Sequence, residues 1–413
     1  MNDLDIIREL AKQYAEEALS QRGKDILKRY RDHNSRQIVR PPVLVFEVPW
    51  GEFSSDEEEL RCKCEDRKYH GIEYEMRAAL YQLKYFGGDY IVHPYYRVGI
   101  PLINSADFGV NVKEKTISAD TGTYIISHEY EDVLPDEEAV EKITMPKYSI
   151  NKDALANRLE FIDTIFNGIM PYKKAGQGFY FASWDQIPRY HGVDNCLEDL
   201  YDRPEFIHLI MEKFTQAHIA TIDQFEELNI LDTDPYYLHC TPAATYDLPV
   251  KDMDKEKITA KDVWARAMAQ IFAVVSPEMH EEFDFQYTKR LFERCGLAYY
   301  GCCEPLDNKI DNLRQYKNLR RVSITPWANV DVATEKIGND YICSYKSNPA
   351  FVSQKTFDPA PVIEETERVI AACKKNNTPV EFIIKDISTV HKNPNHLKMW
   401  TETVNNVIDK HYN

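Results

Sequence analysis

Leu297-Ala-Tyr-Tyr-Gly-Cys-Cys-Glu-Pro-Leu306 is a short apolar and aromatic run that ends on glycine and then delivers two adjacent cysteines and a carboxylate. The run has the composition of a buried strand, and Gly-Cys-Cys-Glu-Pro reads as the loop at its carboxyl end. Runs of the same kind recur at Val43–Val48, Tyr90–Val92, Phe179–Ala182, Tyr236–Leu238, Val322–Ile324, Tyr341–Cys343 and Val380–Ile384. Helical spacing predicts helices over Ser55–Phe86, Pro204–Leu228, Ala260–Arg294, Asp331–Ile337 and Pro361–Cys373, with Pro394–Asp409 closing the chain. Strands alternating with helices in this way predict an α/β fold, a closed (β/α)8 TIM barrel.

Two segments depart from the alternation. Residues 1–40 carry Leu4, Ile7, Leu10, Ala11, Tyr14 and Leu19 on one face of an amphipathic N-terminal helical extension that ends before Arg40-Pro-Pro. Residues 99–147 read as an insertion after the second strand, with a hairpin around Thr121-Gly-Thr-Tyr-Ile-Ile-Ser127 and an acidic stretch over Glu129–Glu141. No linker of Gly, Ser or Pro divides the chain, so residues 1–413 are expected to form one barrel domain. An open doubly wound sheet is the rival, but Glu47-Val-Pro-Trp-Gly51 stands where a nucleotide-binding version needs a glycine-rich turn.

A formal net charge of -17 over 413 residues repels phosphate backbones and anionic membranes, which argues against nucleic acid and membrane partners. The charged start, Met1-Asn-Asp-Leu-Asp-Ile-Ile, lacks the features of a secretory leader, and a cytoplasmic location is expected. Nine cysteines, an odd number in a large chain, point to reduced thiols or metal ligation rather than a disulfide framework.

In a barrel the chemistry lies just past the strands' carboxyl ends. Those positions hold Glu47 and Trp50, then His93, Tyr95, Tyr96 and Arg97, then Ser183, Trp184 and Asp185, His239 and Cys240, Cys302, Cys303 and Glu304, Thr325 and Trp327, Ser344 and Lys346, and Lys385 and Asp386. Cys303, Cys302, Glu304 and His239 supply the ligand types of a catalytic zinc, provided the strand has already turned into its loop before the two thiols. The competing reading is a small buried cysteine, a Glu304 that binds backbone amides, a hydrogen-bonded His239 and no metal. Glu47 and Asp386, on neighbouring first and last strands, could act as acid and base or each neutralise a local cation. Arg97, with His93 and Tyr96, could bind a substrate carboxylate or pair with an acid of the insertion. Trp184 and Trp327 could stack on a substrate or close the barrel top.

Ser276-Pro-Glu-Met-His-Glu-Glu-Phe283, Tyr287-Thr-Lys-Arg-Leu-Phe292, Gly301-Cys-Cys-Glu-Pro305, Leu200-Tyr-Asp-Arg-Pro-Glu-Phe206 and Arg40-Pro-Pro-Val-Leu44 together resemble the uroporphyrinogen decarboxylase superfamily, in particular its corrinoid-linked methyltransferase branch. The resemblance implies a (β/α) barrel, a methyl transfer between a small methylated substrate and cobalamin on a partner corrinoid protein, and a zinc ion. A homodimer is the candidate assembly. Phe46-Glu-Val-Pro-Trp-Gly-Glu52 replaces the decarboxylases' arginine-bearing stretch and would repel a polyanionic porphyrinogen, by ~4 kcal/mol for unit charges 4 Å apart at an effective dielectric near 20. The aspartate that those enzymes carry after the second strand also finds no match. Of the branch's zinc ligands only Cys303 carries over: Gly301 stands where a histidine is expected, and Lys385-Asp-Ile-Ser-Thr389 holds no cysteine. The alternatives are a metal-independent decarboxylase or lyase acting on a small carboxylic acid, and a non-catalytic ligand-binding barrel.

Overall fold

The computed structural model describes residues 2–104, 108–118, 126–250 and 256–412. Its central sheet is made of β1 (Val43–Val45), β2 (Phe179–Phe181), β3 (Trp264–Ala267), β4 (Leu297–Tyr300), β5 (Leu319–Ile324), β6 (Ile342–Ser347) and β7 (Val380–Ile384). All pairings are parallel, and the order is β1-β7-β6-β5-β4-β3-β2. Each strand after β2 therefore lies beside its predecessor, and the last returns to the first. That is barrel order, not the order of a doubly wound sheet.

Lys385, just past β7, touches the sulfur of Cys302, just past β4, at 3.3 Å. A flat sheet would hold those strands about 14 Å apart, at ~4.8 Å per step, so the sheet is strongly curled. Its convex side is apolar: Val43, Phe179, Ala265, Ala298, Val322, Cys343 and Phe382 pack in one buried core with the surrounding helices. The concave side carries Tyr180, Arg266, Tyr299, Arg321, Ser344, Lys346, Glu381 and Lys385, because side chains alternate along each strand.

The closed eight-stranded barrel is corrected to a curled seven-stranded sheet, since among the described residues no strand pairs β1 with β2. The expected second strand, Tyr90–Val92, is irregular. In place of a strand partner, the Tyr237 hydroxyl accepts from the Ile91 N–H (2.7 Å) and donates to the Ile91 carbonyl (3.0 Å). The expected fourth strand is also displaced. Tyr237–Leu238 and Thr241–Pro242 form a small antiparallel hairpin, and β3 lies inside what helical spacing marked as a helix. The hairpin plugs the concave face, with Cys240 packed against Leu44 of β1 and Ile383 of β7.

The N-terminal extension is two helices, α1 (Asp3–Ala18) and α2 (Gln21–Asn34), broken where Ser20 caps α2 by accepting from the Gly23 N–H at 3.1 Å. The first packs in a separate cluster with His70–Tyr85 and Lys152–Phe166. The second closes the amino end of the sheet with Tyr30, His33 and Asn34. Within 99–147, Glu114–Ser118 and Ile126–Tyr130 pair antiparallel, as the expected hairpin requires, while Thr121–Ile125 lie outside the described residues.

Below the plug, Arg321 and Glu381 form a fully buried ion pair. Glu381 also accepts from the hydroxyls of Thr241 and Ser344, and Arg321 donates to Asn34 Oδ1 (2.9 Å), Thr241 Oγ1 (3.1 Å) and His33 Nδ1 (3.3 Å). Burial raises the Glu381 carboxyl's pKa, but Arg321, His33, Lys346 and the Ser344 hydroxyl together outweigh it and leave the group ionised. Removing one partner strands the other charge in the interior. Arg321→Met is expected to lower unfolding free energy in urea by about 3–5 kcal/mol, and Arg321→Met/Glu381→Leu by less than either single change.

Candidate functional site

Above the plug, at the carboxyl ends of the strands, one cluster gathers residues from four segments. β4 stops at Tyr300, and Gly301 takes φ +96 to start the loop. A Cβ at this glycine would lie 2.5 Å from Leu306 Cδ1, so the tight turn requires glycine. The turn cancels strand alternation and brings Cys302 Sγ and Cys303 Sγ to 3.6 Å. Lys385 Nζ stands 3.3 Å from Cys302 Sγ and 3.5 Å from Cys303 Sγ, and also binds Asp386. The Cys303 thiol donates to Asp386 Oδ2 at 3.2 Å. Glu47 Oε2 accepts from the Asp386 N–H (2.9 Å), and Glu47 Oε1 lies 3.3 Å from His239 Nε2. His239 closes the ring 3.9 Å from Cys302 Sγ.

Glu47, His239 and Asp386 all hold left-handed backbone, with φ of 50, 49 and 54. Each such non-glycine conformation costs about 1–3 kcal/mol, and three meeting in one cluster is the pattern of a functional site.

The electrostatics divide the two carboxyls. Burial and the Asp386 carboxyl raise the pKa of Glu47 against the opposing pull of Lys385. Burial also pushes Asp386 up, but hydrogen bonds from Glu47 and Lys385 outweigh this and hold it ionised. His239 is neutral, its pKa pushed down to about 3 by burial and then by Arg266 and Lys385. The hydrogen bond to Cys303 and burial raise the Cys302 thiol. Paired carboxyls with separated proton affinities suit acid and base roles.

The four expected metal ligands are not assembled as a set. Glu304 is turned away and fully buried, accepting from the N–H groups of Ala269 (3.1 Å) and Cys302 (3.0 Å) and so tying the loop after β3 to the loop after β4. Cys302 and Cys303 do meet, but against the Lys385 ammonium, with His239 near Cys302 alone. Among the described residues no three His, Cys, Asp or Glu side chains form a metal-holding group. Cys240 is a buried core thiol, its pKa pushed up to about 11 by burial.

The other expected residues lie apart from this cluster. Arg97 pairs with Asp232 (2.6 Å), outside the 99–147 insertion, and contacts His93 Nε2 at 3.3 Å. His93 stacks on Tyr236, and Tyr96 donates to Glu75 (2.8 Å), so this trio braces residues 93–97 against neighbouring segments. Trp184 is fully buried, packed on Phe272 and donating to the Phe283 carbonyl (3.0 Å), and it is not at the mouth. Trp327 is 69% exposed beyond β5, on the rim. Spacing did not single out Arg266, Tyr180 or Met268. Arg266 covers the Tyr180 ring at 3.8 Å, and Met268 packs against Cys302 with Ala182.

No protein-family model and no curated protein matches the chain. Among solved structures it is similar to a methyltransferase from Methanosarcina mazei, with a TM-score of 0.50 and 9% identity over 94% of this chain and 99% of that one. At that identity the likeness speaks for the fold, and it agrees with the barrel-like strand order.

Glu304 gives the site a pH signature. Burial raises its pKa to about 7, above the unfolded value, so the folded state holds a proton that the unfolded chain releases. Stability from this group is present at low pH and is lost as pH rises from about 4.5 through 7. Glu304→Gln should flatten the wild-type decline in urea midpoint over that window.

Proposed function

We propose that this chain is a methyltransferase that moves a methyl group between a small methylated substrate and a corrinoid carried by a partner protein. The observation that supports it best is the strained cluster of Glu47, His239 and Asp386 with Lys385 and two thiols, at the strand ends of a fold shared with a methyltransferase. The family resemblance of the motifs over 276–305 points the same way.

Methyl transfer from a heteroatom leaves the bonding pair on that atom, which then needs a proton. Glu47, the carboxyl of the pair whose proton affinity is raised, would supply it and regain a proton from solvent once the product leaves, while Asp386 stays ionised beside it. Lys385 helps keep Asp386 ionised, which leaves Glu47, the residue facing His239, as the better proton donor of the pair. Met268 and Ala182 give the cluster an apolar border that limits water.

A bound corrinoid would supply the cobalt centre that accepts or donates the methyl group. The rim fits a cofactor presented from outside: Trp327 is exposed, and Cys303 and Asp386 reach the surface, so these side chains would face it. Zinc does not fit the donors as they stand, because Glu304 is bonded away and the Lys385 ammonium stands between the thiols. No step here depends on it. The decarboxylase alternative loses its expected cation, since Arg97 is neutralised by Asp232.

The test is methyl transfer to reduced cobalamin, read by absorbance, across methyl ethers, methylamines and methyl thioethers. The wild type is expected to turn over at least one of them, and Glu47→Gln to slow it by about 10²–10⁴-fold with an unchanged thermal melt. Wild-type silence on every class, or full activity in Glu47→Gln, would overturn the proposal.

A further inference from the structure

The concave face carries more cations than its carboxylates neutralise. Arg321 is engaged by Glu381 and Lys385 by Asp386, while Lys346 donates to Ser344 Oγ at 2.5 Å. Arg266 differs from all three. Its guanidinium face lies on the Tyr180 ring, and its Nη1 is shut off from solvent with no hydrogen-bond partner among the described residues. Buried arginine donors are ordinarily paired, so an unpaired one inside a chain of net charge -17 calls for an explanation.

The surroundings supply one. Arg266 lines a cavity of 240 Å³ together with Tyr180, Tyr237, Leu238, His239 and Trp264, the space of about eight waters. Asp232 also borders it but is held by Arg97, and His239 is uncharged. Nothing anionic in the cavity competes for the guanidinium. His239 joins the cavity directly to Glu47 and Cys302. Small volume, aromatic walls and a half-buried guanidinium without an ion-pair partner match a planar carboxylate on a compact, partly apolar body.

We propose that Arg266 is the anion-binding residue of the mouth and that the substrate handled there carries a carboxylate, seated on the part of the guanidinium that lines the cavity with its body against Tyr180 and Trp264. This names the substrate class of the site above and rests on the methyl-transfer reading for the reaction alone. Arg266 selects and orients, and Glu47 and Asp386 handle the proton one step along the cavity.

Binding without turnover tests it. Calorimetric titration with benzoate and with uncharged benzamide at pH 7 is expected to show wild-type protein preferring benzoate by at least about tenfold, one decade of binding constant. Arg266→Gln should abolish the preference, and Arg266→Lys should keep part of it. Equal wild-type affinities, or a preference that survives in Arg266→Gln, would overturn the proposal. If the glutamine variant does not fold, the wild-type melt decides: benzoate must raise it more than benzamide does, and equal shifts refute the site. Because no turnover is read, failure here leaves the Glu47 assay standing, and failure of that assay leaves the binding preference intact.

Discussion

One fully buried ion pair, Arg321 with Glu381, sets the geometry on which the rest depends. Taking two charges out of water costs several kcal/mol per ion, and only near-complete hydrogen bonding offsets it. The partners here come from five places: β5 and β7 give the charges, β6 gives Ser344, the plug gives Thr241, and α2 gives Asn34 and His33. His33 serves as an uncharged acceptor, its pKa pushed down to about 3 by burial and Arg321. Shifting any of these elements would leave a charge unsatisfied. The pair therefore fixes how far the sheet curls and how deep the hairpin sits.

That depth places the site. The hairpin that presents Thr241 to the ion pair also carries His239 up to Glu47 and Cys302, two residues earlier in the chain. The curl brings Lys385 across to the thiols. The mouth is then organised by an ammonium that touches two sulfurs and a carboxylate at once, with three left-handed residues around it. Strain of that kind is held only when the scaffold beneath is over-determined, as it is here.

Much of the barrel character was legible in the sequence. The runs at Val43, Phe179, Leu297, Val322, Tyr341 and Val380 all mark true strands, because each buries apolar residues on its convex side. The misplaced elements have separate causes. Trp264-Ala-Arg-Ala267 has a charged residue on the concave face and alanines on the convex one, so its period is masked and it passes for helix. Tyr236–Leu238 looks like a buried strand because it is buried, but as a plug. Glu47, Asp386, His239, Cys302 and Cys303 were legible as strand-end residues. Glu304, Trp184 and Arg97 sit equally near strand ends, and only the backbone's turns decide that they point elsewhere. Arg266 left a faint signal, an arginine at an alternating position in an otherwise apolar run.

We propose that the Lys385 ammonium, rather than a metal ion, organises the two thiols at the mouth. Native mass spectrometry of the purified protein, with and without prior incubation in zinc, tests it most directly. The account predicts the mass of the bare chain in both samples, and a Lys385→Met variant that alone acquires zinc. One zinc per wild-type chain that survives desalting, lost in Cys303→Ala, would contradict it.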